Sequence, residues 1–79
     1  MIVADQIRAA RALLRWSARE LAEKSGVSLP TIQRMEAATG VPSAMARSIV
    51  AITSALESAG IEFIDENGGG AGVRFKDPQ

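Results

Sequence analysis

Apolar positions return every three or four residues through the first sixty residues, and the period then changes. Val3, Ile7, Ala10 and Leu14 form one face and predict a helix over 3–15. Arg8, Arg11 and Arg15 fall on a different face, the last two four residues apart. Trp16 ends this run, and its place before a polar cap predicts a staple-like packing role. Over 17–26, Ser17 and Glu20 form an S-x-x-E capping box, Leu21 and Ala22 are the apolar contacts, and Gly26 suits a terminal position with φ > 0. Over 28–37, Ser28 is the cap and Ile32 and Met35 are the inward pair. Pro30 is tolerable there because the first turn donates no intrahelical bonds. Gly40, Val41 and Pro42 break the chain. A longer helix is predicted over 43–59, with Met45, Ile49, Ile52 and Leu56 as its core stripe and Gly60 closing it.

Beyond Gly60 the period shortens to two. Ile61 and Phe63 alternate with Glu62 and Ile64, and Val73 and Phe75 alternate with Arg74 and Lys76. A glycine-rich loop lies between, so the segment predicts a β-hairpin. The triple glycine is read as a flexible turn, since no Gly-Lys-Ser/Thr follows it as in a phosphate-binding loop.

Composition narrows the chemistry. A chain of 79 residues predicts a single fold with a thin core. Absence of cysteine and histidine removes disulfides, thiolate nucleophiles, imidazole bases and the usual zinc ligands; no metal or other cofactor is expected. No apolar run approaches the roughly 20 residues of a membrane span. With charged residues by Asp5 and no signal-peptide pattern, the expectation is a cytoplasmic protein without a membrane partner. Net charge is zero but unevenly spread. Residues 1–60 carry an excess of two positive charges and residues 61–79 an excess of two negative ones. The front of the molecule could therefore meet an anion that the tail would repel.

Two capped helices joined by a tight turn at Gly26-Val27 are the parts of a helix-turn-helix. The fold class expected is mainly α: a compact four-helix domain containing a helix-turn-helix, with a C-terminal β-hairpin. The corresponding division is 1–60 for the helical domain and 61–79 for the hairpin and tail. In a helix-turn-helix the second helix, here over 29–38, enters the major groove N-terminus first. Gln33 and Arg34 have the reach and donors to read purine edges, and Leu29 and Pro30 can lie against thymine methyls. Thr31 and the start of the helix suit phosphate, as do Arg15 and Arg19.

The stretch "RALLRWSARELAEKSGVSLPTIQRMEAATG", and within it "ELAEKSGVS" followed by the pattern T-I-x-R-x-E, resembles the DNA-binding domain of phage-repressor-like (Xre, or Cro/CI-type) regulators. The resemblance covers about residues 5–57. It implies packing roles for Leu21, Ala22, Val27 and Ile32, a polar N-cap at Ser17 and a phosphate-side hydroxyl at Thr31. It further implies variable, base-facing positions at Leu29, Pro30, Gln33 and Arg34, and an ion pair between Arg11 and Glu36. Two departures stand out. Ala18 falls where many members carry a phosphate-bonding glutamine, so Arg15 or Arg19 would have to substitute. The usual fourth and fifth helices are merged into one.

The resulting expectation is a sequence-specific regulator, a repressor by default, acting on double-stranded DNA as a homodimer. Its phosphate contacts would be Arg15, Ser17, Arg19, Ser28 and Thr31. The hairpin residues Ile61, Phe63, Val73 and Phe75 would form the dimer interface, pack on the long helix, or do both. The alternative is a protein-interaction module, such as an antitoxin or anti-activator, with a protein partner on the same fold. An enzyme is not expected, because the carboxylates, Lys24 and the serines form no recognisable constellation.

Overall fold

A computed structural model describes residues 2–40 and 44–78. Four helices and a hairpin follow in order: α1 (Ala4–Leu14), α2 (Ala18–Ser25), α3 (Leu29–Ala37), α4 (Ala46–Ser58), β1 (Ile61–Ile64) and β2 (Gly72–Phe75). The expected fold class is the observed one. The expected break at Val41-Pro42 and a helix start at Ser43 lie outside the described residues. The fourth helix itself begins at Ala46.

Each helix ends for a local reason. The Val3 N–H donates to Gln6 Oε1 (2.8 Å) and the Ala4 N–H to the Gly40 carbonyl (2.9 Å), so the start of α1 is tied back to the chain beyond α3. At its other end Arg15 adopts left-handed backbone (φ 58°). The Arg15 N–H donates to the Ala12 carbonyl and the Trp16 N–H to that of Arg11, a Schellman closure made without glycine. In α2 the capping box is complete. Ser17 Oγ accepts from the Glu20 N–H and Glu20 Oε1 from the Ser17 N–H, each at 3.0 Å. Gly26 then turns the chain at φ 75°.

Ile7, Ala10, Leu21, Ile32, Met35, Ile52, Leu56 and Ile61 form one fully buried cluster, drawn from all four helices and β1. Each large side chain among them contributes about 1.5–3 kcal/mol by leaving water. Strand β2 adds Val73 and Phe75, half-buried against the same cluster. In the hairpin Ile61 faces Phe75 and Phe63 faces Val73, antiparallel; β1 packs on α4 and β2 on α1.

One expectation needs correction. Met45 is no core residue: it is the N-cap of α4 and 60% exposed, because the helix starts after it and only Ile49, Ile52 and Leu56 follow the inward stripe. The four hairpin residues, expected to form a dimer interface, to pack on the long helix, or to do both, pack on the chain's own core. Ile61 is fully buried, and Phe63, Val73 and Phe75 pack against the same core. A two-stranded hairpin is marginal alone, and here the helices supply its support.

Candidate nucleic-acid interface

The turn between α2 and α3 is held from both sides. Ser25 Oγ donates to the Leu21 carbonyl (2.7 Å) and accepts from the Val27 N–H (3.2 Å), fixing the chain on either side of Gly26. Val27 packs against the core. Ser28 caps α3: its Oγ accepts from the Thr31 N–H and donates to Thr31 Oγ1 (2.8 Å). The Ser28 proton is thereby committed, and Thr31 keeps the hydroxyl hydrogen free to donate outward. Pro30 has no N–H and that of Thr31 is capped, so Leu29 supplies the free donor of the first turn. The α3 N-terminus therefore offers fewer donors to an anion than a generic helix end.

Helix α3 has two opposite faces. Ile32, Met35 and Glu36 are buried. Pro30, Gln33, Arg34 and Ala37, at i, i+3, i+4 and i+7, are exposed. Leu29 and Thr31 lie half-buried on the flanks. Three of the four expected base-facing residues thus share the outward stripe, with Leu29 beside it. Ala37 joins them, a residue that sequence reasoning passed over because it carries no polar group.

The orientation of α3 is set by an ion pair. Arg11 Nε and Nη2 donate to the two carboxylate oxygens of Glu36, each at 2.8 Å, and Arg11 Nη1 donates to the Trp16 carbonyl (2.9 Å). Arg8 donates to the Glu36 backbone carbonyl and pairs with Asp5. These contacts join α1 to α3 across the buried face. The hydrogen bonds with Glu36 hold the Arg11 guanidinium above its usual range; burial opposes this and the Glu36 charge adds to it.

The arginines fall into two groups. Arg8, Arg11 and Arg74 are paired with Asp5, Glu36 and Glu62. Among the described residues Arg15, Arg19, Arg34 and Arg47 are exposed and make no ion pair. They lie at the end of α1, in the first turn of α2, on the outward stripe of α3 and in the first turn of α4. Beside them the Ser17 hydroxyl accepts from its own helix and keeps its proton to donate.

A helix-turn-helix family model matches residues 7–46. The chain belongs to the phage-repressor-like helix-turn-helix family. It is a family of DNA-binding transcription regulators. No curated protein matches the chain. The family match runs from Ile7 to the first residue of α4, so the body of α4 and the hairpin lie beyond it.

Two features of this family member escaped the sequence reading. Gln6 is buried, and its Nε2 donates to the carbonyls of Ile64 (3.3 Å) and Gly72 (2.9 Å) at the loop end of the hairpin. A glutamine within an amphipathic run gives no sign of a partner nearly sixty residues away. Arg47 lines an open cleft with Ser28 and Thr31, at the entry to α3. Its neighbours in sequence, Ala46 and Ser48, give no sign of this proximity. Among the described residues no cluster of His, Cys, Asp and Glu could hold a metal ion, and no helix is long and apolar enough to cross a membrane.

Proposed function

We propose that the chain is a sequence-specific repressor that binds double-stranded DNA as a homodimer, with α3 in the major groove. The observation that supports this most is the division among the arginines: Arg8, Arg11 and Arg74 are neutralised within the chain, whereas Arg15, Arg19 and Arg34 on the helix-turn-helix side, with Arg47 at the entry to α3, are not. On this reading Arg34 and Gln33 read base edges and Pro30 and Leu29 meet thymine methyls. Arg15, Arg19, Thr31 and the Ser17 hydroxyl contact phosphate. Ser28 acts through Thr31, since its own proton is committed. Arg47 adds to the positive field at the entry to α3.

A monomer covers a few base pairs, so two copies on half-sites about 34 Å apart are expected. Repression follows from occupying DNA that polymerase needs. Selection of bound duplexes from a random pool tests the reading. It is expected to yield a palindromic consensus whose binding weakens linearly in the logarithm of salt concentration. Failure to enrich any sequence would overturn it.

A further inference from the structure

A second open cleft, of about 550 Å³, runs between α2 and α4. Trp16 and Lys24 line it from one side, and Ala51, Ser54, Ala55 and Ser58 of α4 from the other. None of the residues proposed to meet DNA lines it. Its volume falls within the range of small-molecule sites.

The lining divides by chemistry. Ala51 and Ala55, four residues apart on α4, and the half-buried Trp16 supply its apolar part. The short alanine side chains leave room beside the indole that longer ones would fill. Lys24 is the only charged residue in the lining. Its Nζ stands 5.8 Å from the centre of the Trp16 ring, and it has no ion-pair partner among the described residues. Ser54 and Ser58 are also four residues apart. Among the described residues their hydroxyls make no hydrogen bond, whereas the neighbouring Thr53 hydroxyl donates to the Ile49 carbonyl (2.8 Å). The α2 dipole accounts for a lysine in its last turn. It does not account for an indole left beside open space and two uncommitted hydroxyls. One cation with no acidic neighbour in the lining matches one negative charge. An acidic peptide would bring several charges to a cleft that answers one.

We propose that the cleft between α2 and α4 binds a small aromatic monocarboxylate. Its carboxylate meets the Lys24 ammonium, and the serine hydroxyls of α4 donate to it. Its ring lies against Trp16 and the alanine methyl groups. Ser25 also lines the cleft, and its hydroxyl pins the turn between α2 and α3. An occupant therefore touches the segment that sets α3. Control of DNA binding by such a ligand rests on the DNA reading above, whereas the binding itself does not.

The test is titration of the full chain without DNA, followed by NMR at the indole N–H of Trp16, the chain's one tryptophan. Benzoate and phenylacetate are the probes, with benzamide and acetate as controls, and circular dichroism establishes that each variant is folded. At least one of the two aromatic acids is expected to give a saturable shift with a dissociation constant of about 1 mM or below. Benzamide lacks the charge and acetate lacks the ring, so both should bind at least about tenfold more weakly. Lys24→Gln should weaken the aromatic acid about tenfold or more, and Lys24→Arg should retain it. Ser54→Phe, from an exposed position, should block the cleft and abolish the shift. No saturable shift with either aromatic acid overturns the proposal, as does a response to acetate or benzamide of equal strength. Indifference to Lys24→Gln, or capture of a glutamate-rich peptide where the aromatic acids fail, overturns it too. A chain that binds the aromatic acid and no duplex keeps the cleft and removes the DNA reading. A chain that binds its duplex and neither acid does the reverse.

Discussion

Glu36 joins two jobs in one residue: its carboxylate takes both arms of Arg11 and its backbone carbonyl accepts from Arg8. Removing the carboxylate leaves a half-buried guanidinium without its counter-charge. Glu36→Ala is expected to cost about 3 kcal/mol, whereas the exposed Glu23→Ala stays within about 0.5 kcal/mol; thermal melts of the two variants check this. The elevated Arg11 value fixes the pH behaviour. A group whose folded value is raised contributes stability below its unfolded value and loses it as pH rises through the folded one. Both values are strongly alkaline for arginine, so the Tm difference between wild type and Arg11→Met should stay constant from neutral to mildly alkaline pH. Arg15 presents the opposite balance. Its left-handed backbone costs a non-glycine residue about 1 kcal/mol, and no ion pair offsets this. Arg15→Gly is expected to raise the melting temperature and weaken DNA binding in the same protein, a divergence that a purely structural arginine would not show.

At the scale of elements, the hairpin depends on Gln6. Its amide holds Val3 at the start of α1 and the last strand pair, Ile64 with Gly72, at one buried point. Gln6→Leu leaves the Val3 N–H without this acceptor and removes a donor from the strand carbonyls, at about 1–3 kcal/mol. Hydrogen exchange should quicken most at the hairpin amides and least in α2; uniform change would contradict the clamp. The helices were legible because their signals are local: a capping box at Ser17 and Glu20, a cap at Ser28, a glycine at 26. The alternation of Ile61, Phe63, Val73 and Phe75 likewise identified the strands and their shared face. It could not say what that face packs on, because a second copy and the chain's own helices present the same apolar chemistry. Met45 was misplaced for a related reason: helical spacing carries a stripe backward past the true helix start, and a non-hydrogen-bonding N-cap gives no mark of where to stop.

For the whole molecule, zero net charge conceals a sorted arrangement. Pairing within the chain neutralises the arginines of α1's inner side and of the hairpin, and those around the helix-turn-helix are left to solvent. Sequence counts showed only the coarse asymmetry between residues 1–60 and the tail; which arginines are committed depends on contacts between distant segments. If the free arginines meet phosphates, Arg15→Ala should weaken binding to every duplex alike and reduce the salt slope by about one ion. On the proposed reading Arg34 reads a base. The most direct measurement is therefore the affinity of wild type and Arg34→Ala for the selected duplex and for single-base variants of it, by fluorescence anisotropy at fixed salt. Arg34→Ala is expected to lose about 1–3 kcal/mol on the selected duplex and to lose its preference at one base pair per half-site. Unchanged affinity with unchanged preference would mean that the outward stripe of α3 does not read DNA.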